Sequence, residues 1–467
     1  MSETERRQTK YLVYNKEVKD AFNLRTGSDI AQTANSLGYQ TVRKGVRPKD
    51  TKNWLDKKKY HHIAADILDD GDFPCLDKEK NDWISSAVKL CDMVRNNLIA
   101  GDDHTSILGL MGEYGIIAPF TNLEAGPVIE KMLKRGMRTA DRTTDFIDQV
   151  WLPHVLELEP EHYKRLLIDE LQDTGIAAMD LYLKSGKEGI ITGVGDPWQA
   201  IYRWLGVPMD GMDRFQKRTE ADVLPNNKCF RCPTSSIEIA KNYCPEIEAA
   251  DGAKEGKVIT LNQKEIYKDF SWREGDLFLC RTNEPLVRMG LELMRMGIPI
   301  YMRNRGFESD LDEVVNKVEK ACDGKHDTFC NSLEVLRRQT LELYARNKTS
   351  DSAVQAFSDK CDAVYALYVH VWEQGGRSIL DIKRKIKDMF QSGGKRVTLS
   401  SVHSAKGSEA PRVFLVQPGK SSRGKNPHPD EIQQERNLNY IATTRVTQAA
   451  EGYLFYLVNK KGSVGEF

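Results

Sequence analysis

The sequence predicts an α/β fold in which parallel-sheet regions alternate with helical ones. Three observations carry this. Two continuous apolar strands each run into acids: RLLIDE, ending at Asp169 and Glu170, and GIITGVGD, ending at Asp196. Strands buried on both faces of a parallel sheet read as such unbroken runs, and a helix-length segment separates these two. The pattern returns late in the chain, with RVTLSSVH and RVFLVQ as strands, ERNLNYIATTRVTQ as a helix and GYLFYLV as a strand. Between the two regions, residues 61–150 and 308–390 carry helical periodicity and little strand signal.

The remaining elements follow in order. YLVYN, from residue 11, reads as a short buried strand, with a helix to about Phe22. Residues 43–60 are strongly basic, with Trp54 and Tyr60 interleaved. That stretch is either a solvated face or a phosphate-tracking patch with stacking aromatics. A turn precedes a helix from Thr234, DLFLCR is a strand, and PLVRMGLELMRMGIPIYMR is a helix and then a strand. Ligands of doubly wound sheets sit at the carboxyl ends of strands, so the crevice between the two α/β regions is the expected nucleotide site.

Length and composition set the limits. A chain of 467 residues, 40% hydrophobic, suits two or three globular domains. No apolar run reaches the ~18 residues of a membrane helix, and MSETERRQTK lacks the apolar core of a secretory signal. Lysine plus arginine equals aspartate plus glutamate at 68 each, so net charge argues neither for nor against nucleic acid. Nine scattered cysteines fit a reducing compartment: the cytoplasm, or the nucleus of a eukaryote. Cys229-x-x-Cys232 has Cys244 twelve residues on but no evident fourth ligand, which argues against zinc or iron–sulfur.

The chemistry lies in short strings. A carboxylate at a strand end, Asp169, suits Mg²⁺ held through water, and the adjacent Glu170 suits activation of an attacking water. In GVGDPWQAIYRWLG, Gln199 follows a strand end and is placed for a γ-phosphate or its attacking water. Tyr202 lies near that nucleotide, and Trp204 suits stacking on a base of a single strand. In KCFRCPTSSIEIA, Arg231 precedes a helix and suits a phosphate. In TLSSVHSAKGSEAPRVFLV, His403 and Lys406 suit a nucleic-acid backbone and Glu409 a ribose hydroxyl. Arg445 suits an arginine finger in cis. The bland alternative for each is an ordinary core or surface residue.

Taken in order, these strings resemble motifs II to VI of superfamily 1 helicases of the UvrD/Rep type. DELQDT resembles motif II, GDPWQAIYRWLG motif III, CFRCP motif IV, VHSAKGSEAPRV motif V and NLNYIATTR motif VI. YLVYNKEVKDAF resembles motif Ia and QTANSLGYQ motif Ib. The resemblance runs from about residue 11 to the end. It implies two RecA-like domains of the P-loop NTPase type, each with a helical insertion, that bind ATP and Mg²⁺ and move along single-stranded DNA, typically 3′ to 5′. The implied boundaries are a partial RecA-like domain 1A at 1–44 and 136–222, insertion 1B at 45–135, domain 2A at 223–305 and 393–467, and insertion 2B at 306–392. It implies that Asp169 holds Mg²⁺, Glu170 activates water, and Gln199, Arg231 and Arg445 meet the γ-phosphate. Tyr202 and Glu409 would face the nucleotide; Tyr14, Thr33, Ser36, Trp204, His403 and Lys406 would face DNA. Asn35, Leu205 and Ser408 depart from the family pattern, none at a catalytic group.

One part of the pattern is missing. The phosphate loop reads Gly-x-x-x-x-Gly-Lys-[Ser/Thr] between a strand and a helix, and its amides and lysine cradle the phosphates. Gly419-Lys420-Ser421 comes nearest, but Phe414 stands where the first glycine belongs, and SSRGKNPHP breaks any following helix. Ten residues precede the motif Ia strand, where a strand, loop and helix need roughly 30. The expectation is therefore a domain 1A lacking its strand–phosphate loop–helix, whose neighbours expose an unpaired edge and apolar faces. Two functions follow. One is a helicase active when an upstream-encoded Walker A polypeptide is supplied in trans. The other is a non-hydrolysing single-strand-binding or scaffold protein.

Overall fold

The computed structural model describes the chain except residues 1–2, 115, 117, 263–265, 267–270, 323–327, 347–350, 418–427 and 459–467. The Gly419–Ser421 string lies outside the described residues. The chain divides into two compact units, Met1–Val223 and Leu224–Phe467.

In the first unit a short helix α1 (Glu3–Arg7) leads into β1 (Thr9–Val13), α2 (Lys16–Thr26), β2 (Ala31–Thr33) and α3 (Ala34–Val46). Helices α4 (Lys59–Asp69), α5 (Lys80–Asn96), α6 (His104–Glu113), α7 (Asn122–Arg138) and α8 (Asp148–Val155) follow. The sheet resumes with β3 (Arg165–Ile168), α9 (Ile176–Gly186), β4 (Ile190–Gly193) and α10 (Gly211–Thr219). The four strands are parallel, in the order β2-β1-β3-β4.

The two faces of this sheet are covered unequally. Leu12, Leu166 and Ile168 lie in a core with Leu37 of α3, Val150 of α8, Leu181 and Tyr182 of α9 and Phe215 of α10. On the opposite face α2 brings Phe22 against Tyr11, ring centroids 4.7 Å apart. Beyond Tyr11 that face is bare: Leu167 is 38% exposed, Ile190 71% and Val194 61%. β4 is also the sheet's edge among the described residues. IITG thus has the composition of a buried strand without the burial, because nothing described packs there.

Helices α4 to α8 enclose their own core around Trp54, Trp83, Ile129 and Trp151. Helix α7 starts at a reciprocal cap between Thr121 and Glu124. The core holds ionic groups. Lys59 donates to Asp148 at 2.6 Å and to the Gly136 carbonyl at 2.9 Å. Arg95 pairs with Asp145 and Asp148, its guanidinium 3.5 Å from the Tyr60 ring centroid. Gly136 is required by this packing, since a Cβ there would lie 2.0 Å from the Tyr60 hydroxyl. The stacking reading of residues 43–60 is overturned here. Trp54 is 1% exposed and donates its indole N–H to the Ala140 carbonyl, and Tyr60 is equally buried. Both aromatics are core, and Lys59 is a buried ion-pair partner, not a phosphate contact.

The second unit begins with β5 (Lys228–Cys229), α11 (Thr234–Ala240) and β6 (Glu248–Ala249), where β5 and β6 form a small ribbon. The main sheet is built from β7 (Lys257–Asn262), β8 (Leu277–Cys280), β9 (Ile300–Met302), β10 (Val397–Ser401), β11 (Arg412–Val416) and β12 (Tyr453–Val458). All six are parallel, in the order β7-β12-β11-β8-β10-β9. Helix α12 (Glu284–Arg295) connects β8 to β9. Helices α13 (Arg305–Ala321), α14 (Phe329–Arg346), α15 (Asp351–Glu373) and α16 (Ile379–Phe390) follow, and α17 (Pro429–Thr443) lies between β11 and β12. One continuous core joins the sheet to α12 through α16. No helix among the described residues is long and apolar enough to cross a membrane.

Candidate nucleotide and nucleic-acid site

β3 ends where its apolar run ends, and the next two residues are Asp169 and Glu170. The Asp169 N–H donates to the Leu12 carbonyl, continuing the pairing with β1. One carboxylate oxygen accepts from the Tyr11 hydroxyl at 2.6 Å, the other from the Glu170 N–H at 3.0 Å. Burial, and then the bond to Asp169, push the Tyr11 phenol well above its ordinary pKa, so it stays a donor. Glu170 sits at φ 49°, a left-handed conformation costly for a side-chain-bearing residue. The turn is held by Leu171 N–H donating to the Val194 carbonyl and Asp173 N–H to that of Glu170.

A buried glutamine joins the two strand ends. The Gln172 amide N–H₂ donates to the Glu170 carboxylate, and its oxygen accepts from the Asp196 N–H at 3.0 Å. Asp196 in turn accepts from the Gln199 amide at 2.8 Å and from the Trp198 N–H at 3.0 Å. Glu170, Gln172, Asp196 and Gln199 therefore form one hydrogen-bonded chain across the carboxyl ends of β3 and β4. Gly195 permits it, since a Cβ there would sit 2.5 Å from the Gln172 oxygen. Sequence reading singled out Glu170 and Gln199 but gave Gln172, Asp196 and Tyr11 no role.

Two residues far apart in sequence are brought together beside this end. The rings of Tyr14 and Tyr202 stack with centroids 5.4 Å apart, 11° from parallel. Burial raises both phenols above their usual range; Tyr202 adds to the rise at Tyr14, while the hydrogen bond with Tyr14 partly offsets the rise at Tyr202. Trp204 is 56% exposed, while Arg203 before it is buried over the Tyr114 ring. Thr33 caps α3, accepting from the Ser36 N–H at 3.2 Å, and the Ser36 hydroxyl accepts from Gln32. Asn35 donates to the Phe146 carbonyl.

In the second unit Arg231 and Glu409 form an ion pair at 2.8 Å. The Arg231 carbonyl accepts from the Gln448 N–H. Cys229 and Cys232 flank this arginine. The thiol of the buried Cys232 bonds to Cys229, and that bond chiefly pulls the Cys229 thiol down to about 6. Arg445 is buried and turned onto the backbone: it donates to the Ile441 and Ser408 carbonyls and the Thr444 hydroxyl. Lys406 is half-buried on the loop after β10. Desolvation, then the nearby Arg281 charge, depress His403 to about 3, so its ring is neutral near pH 7. Arg281 grips Glu435 through two nitrogens at 2.7 and 2.9 Å, a pairing that sequence reading did not find.

Asp169 offers oxygen donors suited to Mg²⁺. Each Asp169 oxygen accepts one protein hydrogen bond and keeps a lone pair. Among the described residues no three His, Cys, Asp or Glu side chains come together to ligate a metal directly, so the fit is to a magnesium ion that Asp169 holds through water.

Residues 127–220 match the UvrD/REP helicase N-terminal domain. The chain is similar to DNA helicase II of Haemophilus influenzae, 27% identical over 125 residues, which is 27% of this chain and 15% of that protein. It is 37% identical over 70 residues to DNA helicase II of Escherichia coli, 14% of this chain and 10% of the relative. The similarity thus spans a small share of these relatives.

Proposed function

We propose that this chain is the motor portion of an ATP-dependent DNA helicase or translocase acting on single-stranded DNA in the 3′ to 5′ direction, and that it hydrolyses ATP once a Walker A segment is supplied in trans. The observation that carries the reading is the strained Glu170, wired through Gln172 to Asp196 and Gln199 beside Asp169. Left-handed backbone alone does not mark a site, since Arg47, Leu98, Glu157, Glu220 and Gln417 adopt it too; what sets Glu170 apart is the hydrogen-bonded chain joining it to Gln172, Asp196 and Gln199 at the carboxyl ends of two parallel strands.

Bound Mg²⁺·ATP supplies the phosphoryl group and its charge. Asp169 would hold the ion through water, oriented by the Tyr11 hydroxyl. Glu170 would take the proton of the attacking water, with Gln172 fixing its carboxylate. Gln199 would orient that water or the γ-phosphate. Arg231 and Arg445 would neutralise developing charge, which requires Arg231 to exchange Glu409 for phosphate and Arg445 to leave its carbonyl partners. Glu409 would then accept from the ribose, and Tyr202 would face the nucleotide. Tyr14, Thr33, Ser36, Trp204, neutral His403 and Lys406 would meet the DNA. Residues 45–135 and 306–392 would act as the insertions of two RecA-like domains, 1–44 with 136–222 and 223–305 with 393–467.

The second reading, a non-hydrolysing single-strand-binding relative, is favoured by one observation: no Gly-x-x-x-x-Gly-Lys-[Ser/Thr] string occurs in these 467 residues. ATP hydrolysis separates the two, measured with and without single-stranded DNA, on the chain alone and mixed with a polypeptide bearing that loop. DNA-stimulated hydrolysis in the mixture, reduced about 100-fold or more by Glu170→Gln with DNA binding intact, is the expected result. Binding without hydrolysis in either sample leaves only the second reading.

A further inference from the structure

The turn that carries Arg231 also carries two cysteines. β5 ends at Cys229, the turn passes through Phe230 and Arg231, and Cys232 stands just before Pro233 and α11. The two thiols differ in access: Cys229 is half-buried and Cys232 fully buried. The Cys232 thiol donates to the Cys229 sulfur, and the backbone N–H groups of Cys232 and Arg231 do so as well. Three donors and the Arg231 charge thus converge on one sulfur, the setting that holds a thiolate and keeps it nucleophilic. The other seven cysteines are placed differently. Cys91, Cys244, Cys280, Cys322 and Cys361 are buried. Cys75 and Cys330 are half-buried, and burial pushes both thiols up.

The pair is wired to its surroundings. The Phe230 carbonyl accepts from the Gln448 side chain at 2.8 Å, and the Arg231 carbonyl from the Gln448 N–H at 2.8 Å. The Cys232 thiol also reaches the Thr444 carbonyl at 3.5 Å. Thr444 and Gln448 stand on either side of Arg445 in the chain, and the Arg231 side chain is held by Glu409 at 2.8 Å. A change at the sulfurs is therefore felt by the segments of both arginines. In a reducing compartment a disulfide is transient and regulatory rather than structural.

We propose that Cys229 and Cys232 form a redox-modification site, closed to a disulfide by a small disulfide of the glutathione type, and that closure resets the turn bearing Arg231. The Cys229 thiolate attacks one sulfur of the oxidant, whose S–S bond breaks, and the departing thiolate takes a proton from water. The Cys232 sulfur then attacks Cys229 in the mixed disulfide and gives its proton to the second thiol that leaves. The two cysteines lose two electrons, and the small disulfide is reduced to two thiols. Closure removes the negative charge beside Arg231 and the thiol donor to the Thr444 carbonyl, and it ties down the two residues between the sulfurs. The site rests on the geometry of the second unit and not on the helicase reading.

The test holds the full chain in glutathione buffers of rising oxidised fraction near neutral pH, quenches by alkylation and maps every cysteine by mass. The expected result is the loss of two of the nine thiols. Peptide mapping joins Cys229 to Cys232 within one chain, and dithiothreitol restores both, in buffers where Cys75 and Cys330 stay reduced. Cys232→Ser should stop with one glutathione on Cys229, and Cys229→Ser should leave Cys232 reduced. Hydrogen exchange at residues 229–234 and 444–448 should differ by at least ~3-fold between the reduced and oxidised chains. A disulfide formed elsewhere, a link between two chains, or a wild-type chain that stops at the mixed disulfide would overturn the site. Equal exchange in the two forms would overturn the resetting of the turn. Mapping of the wild-type chain decides the first point even where Cys232→Ser, at a buried position, fails to fold. Neither result depends on ATP hydrolysis.

Discussion

β11 in the second unit and β4 in the first are both parallel strands of apolar sequence, RVFLV and IITG, yet their surroundings are opposite. β11 lies between β12 and β8, with all five residues buried. Phe414 stacks on Phe278 and on Phe455, centroids 4.4 Å apart in each case, and these three are direct cross-strand neighbours. β4 has a neighbour on one side among the described residues and leaves Ile190 and Val194 in solvent. The larger sheet carries His403, Lys406 and Glu409 on the loop that follows β10. The one that is open carries the strained glutamate and the linked acids. Completeness is a property of what packs on a strand, not of the strand's own residues.

The sharpest way to break this comparison is to truncate one strand of each sheet. Phe414→Ala should lower the stability of the second unit by about 3–5 kcal/mol, the usual cost of emptying an aromatic site in a core. Ile190→Ala should change the first unit by no more than about 0.5 kcal/mol, as for a surface position. Denaturant melts followed by hydrogen exchange within each unit read the two separately. Equal losses would mean that β4 is covered in solution, by another chain or by a second copy.

A smaller effect sharpens the functional side. Trp204 is exposed just beyond the β4 end, beside the stacked Tyr14 and Tyr202. If the open sheet presents a nucleic-acid face, Trp204→Ala should weaken binding of a single-stranded oligonucleotide by about 1–3 kcal/mol, the worth of one base stack. Titration by fluorescence anisotropy at fixed salt measures it. An unchanged Kd would place the DNA contacts elsewhere.

What the sequence made legible was local. Asp169 and Glu170 stand next to each other after an apolar run, and Gln199 stands three residues after Asp196, so adjacency alone exposes them. Gln172 could not be read as a linker, because its second partner arrives from β4 and needs Gly195 for clearance. The Arg281–Glu435 grip spans two elements that only the second sheet brings together. Trp54 and Tyr60 misled for the opposite reason: the lysines around them face solvent, while Lys59 and both rings turn inward to Asp148 and the helical core. The bareness of β4 was not readable from IITG at all, since the string is the same whether covered or not.

The smallest predicted effect concerns pH and belongs to the second unit. His403 is depressed to about 3 by desolvation and then Arg281, and His370 to about 4 by desolvation and then the Lys385 and Arg295 charges. Both folded values lie below the ordinary ~6.5 of an unfolded histidine. Above pH 6.5 neither state binds the proton, and the stability is fully present. As pH falls from 6.5 towards 4, the unfolded chain takes up protons that the folded unit refuses, so stability drops. Between pH 6.5 and 5 the loss should be about 1 kcal/mol per histidine, the part-exposed His403 being discounted for solvent screening. Melting temperature against pH, with exchange resolved by unit, should show the slope in residues 224–467, and His403→Gln with His370→Gln should flatten it. A slope that survives the double variant would assign the acid sensitivity to carboxylates instead. A slope found in the first unit would mean that its own groups, not His403 and His370, set the acid limit of the chain.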